Sequence, residues 1–189
     1  PIKLKILITN KTFIGCWLMF YLNVSCGLAL ISCEKSILSA VGLGMVAISV
    51  IQSVTAGANA FGRIGFSTVS DHLKDRNTVY KIIFIICIAI SAVAFFSQGV
   101  LNKLTILVIL LLIIINAGYG GGFSTMPALL SSRFGMKNIS KIHGYILSAW
   151  GVAGLTGNQI SNLLVLKTGN YESVIGVICI FYIVSMAIC

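Results

Sequence analysis

Charge is scarce in this sequence. Asp, Glu, Lys and Arg make up 9% of 189 residues, against 58% hydrophobic residues and a mean hydropathy of +1.03, a balance that excludes an ordinary water-soluble domain. Catalytic sets are missing as well. The apolar runs hold no Ser/His/Asp set, no HExxH and no paired carboxylates, so the chain does not read as an enzyme embedded in a membrane. Cys16, Cys26, Cys33, Cys87, Cys179 and Cys189 show no CxxC or Cys/His spacing and lie in or beside apolar runs. They read as small buried hydrophobes, and no metal site or cofactor is expected. The net charge of +9 comes without a basic stripe interleaved with aromatics, so nucleic acid is not an expected partner.

What is present is a series of long apolar runs. They are continuous, where barrel strands would alternate over about ten residues, so an all-α membrane protein is expected. Six spans can be drawn, at about 12–33, 39–70, 79–97, 104–130, 142–166 and from 173 onward, with a Glu34-Lys35 turn after the first. The second exceeds the about 20 residues a bilayer needs and should tilt or project. Lys3, Lys5, Lys11, Lys74, Arg76, Lys81, Arg133, Lys137 and Lys141 fall on one side of this partition, and only Lys35, Lys103 and Lys167 on the other. Both ends of the segment are therefore expected in the cytoplasm. Lys3, Lys5 and Lys11 flank a run too short to span, so no cleavable signal peptide is expected. Pro1 in place of Met, and Cys189 inside an apolar run, read as a piece of a longer chain.

Arg63 is the default functional residue. It lies in the second span about eight residues before an acidic turn, about 12 Å at helical rise and short of the bilayer surface. Ionisable groups at such depth are kept for a cavity, a partner charge or a polar substrate. Gln52, Thr55, Asn59 and Arg63 recur three and four apart, within roughly 80° of one helix face. That polar stripe is expected to face the protein interior or a water-filled path. The competing reading has Arg63 snorkelling to headgroups and the amides bonding between helices. Ser49, Ser53 and Gly57, and Ala58 with Gly62, read as faces for close helix packing.

The fourth span contains Gly118, Gly120, Gly121, Gly122 and Pro127. Missing side chains admit a neighbouring helix or ligand, and the proline deletes one backbone bond, so a bend and a moving part are expected there. No Gly-Lys-Ser/Thr occurs, which argues against a phosphate loop. On the fifth span Ala149, Ala153, Gly157 and Ser161 form a packing ridge, and Asn158, Ser161 and Asn162 a polar patch. Trp150 sits near mid-span, where it lines a cavity or fills a core. His143 is read as a solvated interfacial residue, with proton coupling as the alternative. Asp71 and Asp75, beside Lys74 and Arg76, are read as caps of the second helix and partners in surface ion pairs.

Asn59-Ala-Phe-Gly62-Arg63 followed by Ser70-Asp71 resembles the eighth-helix signature of the oxalate/formate antiporter branch of the major facilitator superfamily. The turn from Asp71 to Arg76 resembles that superfamily's loop motif, with Ser67, Lys74 and Asp75 where glycine, glycine and arginine are usual. Tyr119-Gly-Gly-Gly-Phe123 with Pro127-Ala128, Phe134-Gly135 and the stretch from Gly144-Tyr145 to Trp150-Gly151 are similar to its tenth and eleventh helices. Leu22-Asn23-Val24 with Gly27 and Ile31-Ser32 resembles its seventh.

The resemblance implies that residues 1–189 are the C-terminal six-helix bundle, half of a twelve-helix facilitator, whose N-terminal six-helix half lies elsewhere in the same chain. It implies transport of a small solute by antiport or symport, with Arg63 meeting a carboxylate and Asn59, Gln52 and Trp150 lining the path. Asp71, Arg76, Gly120, Gly121, Gly122 and Pro127 would serve gating. The branch's second cation on the eleventh helix has no counterpart between Gly144 and Leu166, which argues against a small dicarboxylate held between two cations and leaves a monocarboxylate or another solute open. The alternative is a non-transporting membrane protein on the same fold, a sensor, a scaffold or an inactive remnant.

Overall fold

In a computed structural model, residues 4–97 and 105–189 are described, and Pro1, Lys3, Lys103 and Leu104 of the expectations above lie outside them. Lipid offers no partner to backbone N–H and C=O groups, and a helix satisfies them within one segment. The described residues accordingly form helices and no strand: α1 (Leu4–Leu7), α2 (Lys11–Ala40), α3 (Met45–His72), α4 (Asn77–Phe96), α5 (Thr105–Phe134), α6 (Ile139–Thr168) and α7 (Glu172–Ile188), with a 3-10 turn at Met136–Asn138. α2, α3, α4 and α5 are each long and apolar enough to cross a membrane, as a multi-pass membrane protein requires. α7 is apolar and shorter, at 17 residues.

α2 and α5 form the centre. α3 lies along α5, α6 along α2, and α4 packs on α5 and α7. Asn77 at the start of α4 donates to the Cys189 carbonyl, and Arg133 at the end of α5 reaches Asp75. At the opposite end Ile37, Val41, Val108, Tyr171 and Glu172 line one cavity. These contacts fix the alternating directions of the helices. The core between them holds Phe20, Tyr80, Phe84, Met126 and Tyr182, all buried.

The expected turn at Glu34-Lys35 is not there. α2 runs on to Ala40, and the chain reverses at Gly42, whose φ of 86° suits a residue without Cβ, before Gly44 opens α3. Charge signalled a surface turn, but the Glu34 side chain is buried and accepts a hydrogen bond from Thr55. The second expected span accordingly begins six residues late, at Met45.

The glycine-proline stretch, where a bend is expected, does not end the helix. α5 is one uninterrupted helix through Pro127. Its glycines are occupied by neighbours: a methyl on Gly120 would land on the Asn59 carbonyl, one on Gly121 on the Phe66 ring, and one on Gly122 on the Asn23 amide. Gly62 of α3 returns the contact, its Cβ position taken by the Ala117 carbonyl. The two backbones touch through reciprocal glycines. Tyr80 adds a hydrogen bond to the Gly122 carbonyl at 2.6 Å.

The small-residue faces divide. Ala149, Ala153, Gly157 and Ser161 of α6 are buried, with Gly157 against the Ser25 backbone. Ser49 and Ser53 are exposed, return their hydroxyls to Met45 and Ser49 carbonyls one turn back, and pack nothing; Gly57 has open space. Asp71 does not cap α3, because it lies in the last turn, where a carboxylate opposes the helix dipole. Its partner is Arg76, and Asp75 instead accepts from the Asn77 N–H at the start of α4.

Gly62→Leu should separate α3 from α5, because the new side chain has only backbone to displace. A loss of about 1–3 kcal/mol or more is expected, read as earlier thermal aggregation in detergent, while Gly57→Leu, facing open space, should leave the melting curve where it was.

Candidate functional site

Helical side chains lean toward the N-terminus of their helix, so a residue nine positions before the end of α3 points to its middle. Arg63 does so. Its Nε donates to Asn59 Oδ1 at 3.1 Å, and Cζ stands 4.9 Å from the centre of the Phe123 ring. Ser124, next to Phe123, donates to the Arg63 carbonyl at 2.9 Å and accepts from Ser67 Oγ at 2.9 Å. The guanidinium is thus held at mid-helix, away from the end of α3 to which a snorkelling arginine would reach. The ion pairs among the described residues are Arg76 with Asp71 and Arg133 with Asp75. Arg63 is in neither, is exposed, and keeps its terminal N–H groups for another acceptor.

Phe123 joins this cation to three aromatics. Its ring lies 6.0 Å from Trp150, edge to face, 5.4 Å from Phe20 and 6.4 Å from Tyr119. An arginine over such a face gains about 0.5–1 kcal/mol when exposed and more once water is excluded. Trp150 is 47% exposed, so its ring is one wall of an open surface. Pro127 contributes here by what it lacks. Without its N–H the Phe123 carbonyl loses its intrahelical donor. α6 is kept beside α2 by Trp17 Nε1 donating to Ser148 Oγ at 2.9 Å and by Tyr21 with Thr156 at 2.8 Å.

Of the four solute-facing candidates, Arg63, Asn59 and Trp150 converge around Phe123. Gln52 does not, since it lies about 16 Å from Arg63 along α3 at helical rise. Thr55, on the same stripe, is buried and turned to Glu34 at 2.6 Å. The candidates for gating fall in two places. Asp71 and Arg76 pair at 2.8 Å, and Arg76 also donates to Ser70 Oγ at 3.2 Å, while Gly120, Gly121 and Gly122 sit in the α3–α5 and α2–α5 contacts with Pro127 one turn on. Asp75 reaches Arg133 of α5 at 3.5 Å.

Phe123, Ser124 and Glu34 were not read as site residues in the sequence, where Phe123 stood only within a glycine motif and Glu34 only in an expected turn. Lys35 and Ser36 directly follow Glu34, so its usable signal was the apolar run that resumes at Ile37. Phe123 carries none, because its role follows from the α3–α5 register. The second polar patch is split: Ser161 bonds its own helix at the Gly157 carbonyl, Asn162 is exposed, and Asn158 has a buried Oδ1 without a donor. His143 is half-buried, with its Nδ1 buried and unpartnered.

No protein-family model matches this chain, and no curated protein is found similar to it.

The arrangement can attract an anion to an aromatic-walled surface. With Trp17→Phe leaving Trp150 as the one tryptophan, iodide should quench its fluorescence more strongly than in an added Arg63→Gln variant, while neutral acrylamide quenches both alike. Equal iodide quenching in the two would place Trp150 beyond the reach of the guanidinium.

Proposed function

We propose that this chain is the C-terminal half of a secondary carrier that moves a small organic anion, a monocarboxylate by preference, by alternating access. The observation that supports it is Arg63: a cation without an ion-pair partner among the described residues, steered by Asn59 toward the middle of a helix long enough to cross a membrane, beside a half-open aromatic wall. A carboxylate matches the two terminal nitrogens of the guanidinium, whose N–H groups are left over. Its apolar remainder would lie on Phe123 and Trp150. The absence of a second cation on α6 near Trp150 favours one carboxylate over two.

In this reading the six helices α2 to α7 each cross the bilayer. Lys11, Lys74, Arg76, Lys81, Arg133, Lys137 and Lys141 then lie on the cytoplasmic side, and both ends of the segment with them. A facilitator-type N-terminal six-helix bundle elsewhere in the same protein completes the path, and solute binds between the two bundles near the midplane. The open face of α3, with Val50, Val54, Phe61 and Ile64 exposed, meets lipid or that partner. The Asp71–Arg76 pair and the link from Asp75 to Arg133 tie the α3–α4 turn to α5, where they hold one state of the cycle. Each exposed pair contributes about 0–1 kcal/mol, small enough to break in turnover.

The whole reading frame, purified and placed in vesicles loaded with unlabelled lactate, should exchange it for labelled lactate outside with saturable kinetics. Arg63→Ala should lower the initial rate at sub-saturating lactate by about tenfold to a hundredfold, the loss of about 1.5–3 kcal/mol for a hydrogen bond to a charged group; Arg63→Lys should recover part of it. Unchanged rates and saturation in Arg63→Ala would remove the arginine from solute binding.

A further inference from the structure

The sequence has four carboxylate side chains, and three have places a carboxylate commonly takes. Asp71 pairs with Arg76 and Asp75 with Arg133, and Glu172 is half-exposed in the first turn of α7. Glu34 is unlike them. It lies inside α2, about 9 Å from the helix end at helical rise, and is 4% exposed. A buried carboxylate is tolerated as an anion only with strong pairing; otherwise it takes up a proton.

The partner that the structure gives it is neutral, the Thr55 hydroxyl at 2.6 Å. Lys35, next along α2, is exposed and in no ion pair. On α3 the nearest charge is Arg63, two turns beyond Thr55 and held by Asn59. The charge on α5 is Arg133, at its far end and paired with Asp75. Lys141 and His143 stand at the far end of α6, Lys167 at its exposed near end, and Glu172 at the start of α7. None bonds Glu34. Beside it the Cys33 thiol is turned to the Ala29 carbonyl.

Thr55 has one hydroxyl proton and two acceptors within reach, Glu34 Oε1 at 2.6 Å and the Gln52 carbonyl at 3.0 Å. With Glu34 ionised, Thr55 donates to the carboxylate. When a proton from water bonds to Glu34, the acid becomes the donor, Thr55 accepts from it, and the threonine O–H swings to the Gln52 carbonyl. One O–H bond forms on the carboxyl, one hydrogen bond reverses, and no electron is exchanged. Thr55 is one turn from Asn59, the residue that orients Arg63, so the protonation state is read on the helix that holds the anion-attracting charge.

We propose that Glu34 is a reversible proton site, its protonation state passed to α3 by the Thr55 hydroxyl, that couples proton movement to the movement of the anion. The proposal rests on the carrier reading for its solute and on Glu34, Thr55 and Gln52 for the proton. A proton loaded with a monocarboxylate makes the step electroneutral and lets a pH gradient drive accumulation.

The test uses the whole reading frame in vesicles with labelled lactate, and infrared spectra of the same protein as bath pH is varied. Glu34→Gln keeps the shape of the side chain and removes the titrating proton. It should keep lactate exchange at zero pH gradient within about twofold and lower accumulation driven by a pH gradient by about tenfold or more. The difference spectrum between wild type and Glu34→Gln should contain a protonated-carboxyl band that changes with pH. Thr55→Val should keep that band and lose driven accumulation, which separates the relay from the proton site. Driven accumulation in Glu34→Gln equal to that of the wild type would overturn the proposal. Absence of any lactate exchange by the wild type would instead sink the carrier reading. The band then decides for the proton site alone: a titrating, Glu34-dependent band sustains it and a flat difference spectrum overturns it.

Discussion

The contact on which the rest of the structure depends is the close approach of α3 to α5. Gly62 admits the Ala117 carbonyl and Gly120 the Asn59 carbonyl, so the two backbones meet with no side chain between them. Between apolar helices in lipid there is no hydrophobic gain from association, and van der Waals packing at short range supplies what that effect supplies in water. Ser67 and Ser124 add hydrogen bonds at the same seam. The register fixed there decides that Arg63 lies over Phe123 rather than one turn to either side.

α5 is the element around which the polar groups are distributed. Its backbone accepts from Asn23 at Gly118 and from Tyr80 at Gly122, so bulky side chains of α2 and α4 end in hydrogen bonds at positions that carry no Cβ. This is how one stretch tolerates four glycines and a proline and remains a helix. Phe123, between the last glycine and Pro127, is the bulky exception. It collects Phe20 from α2, Arg63 from α3 and Trp150 from α6.

Much of this was legible from residue order. Hydropathy located the long helices because a spanning helix needs a continuous apolar run. The ridge from Ala149 to Ser161 was readable because burial on a helix repeats every four residues. Periodicity gives a direction around the axis and says nothing of depth or of what lies opposite. Gln52, Thr55 and Arg63 therefore shared one face in the sequence and met different surroundings in the fold. Ser49 and Ser53 had the spacing of a packing face, yet no helix of the described residues arrives there. Glu34 was misplaced for a related reason: charge marks a turn only where water can reach it, and Glu34, bonded to a hydroxyl from α3, lies inside α2, which continues past it to Ala40.

Asn59 occupies two positions at once. Its main-chain oxygen fills the notch left by Gly120, and its side-chain oxygen accepts a hydrogen bond from Arg63 Nε–H. The residue works as a lever whose short arm is seated in the neighbouring helix and whose long arm carries the positive charge. Sliding the two helices by a fraction of a turn would swing that charge off its ring, so the place of the guanidinium and the fit between two backbones are set by a single joint.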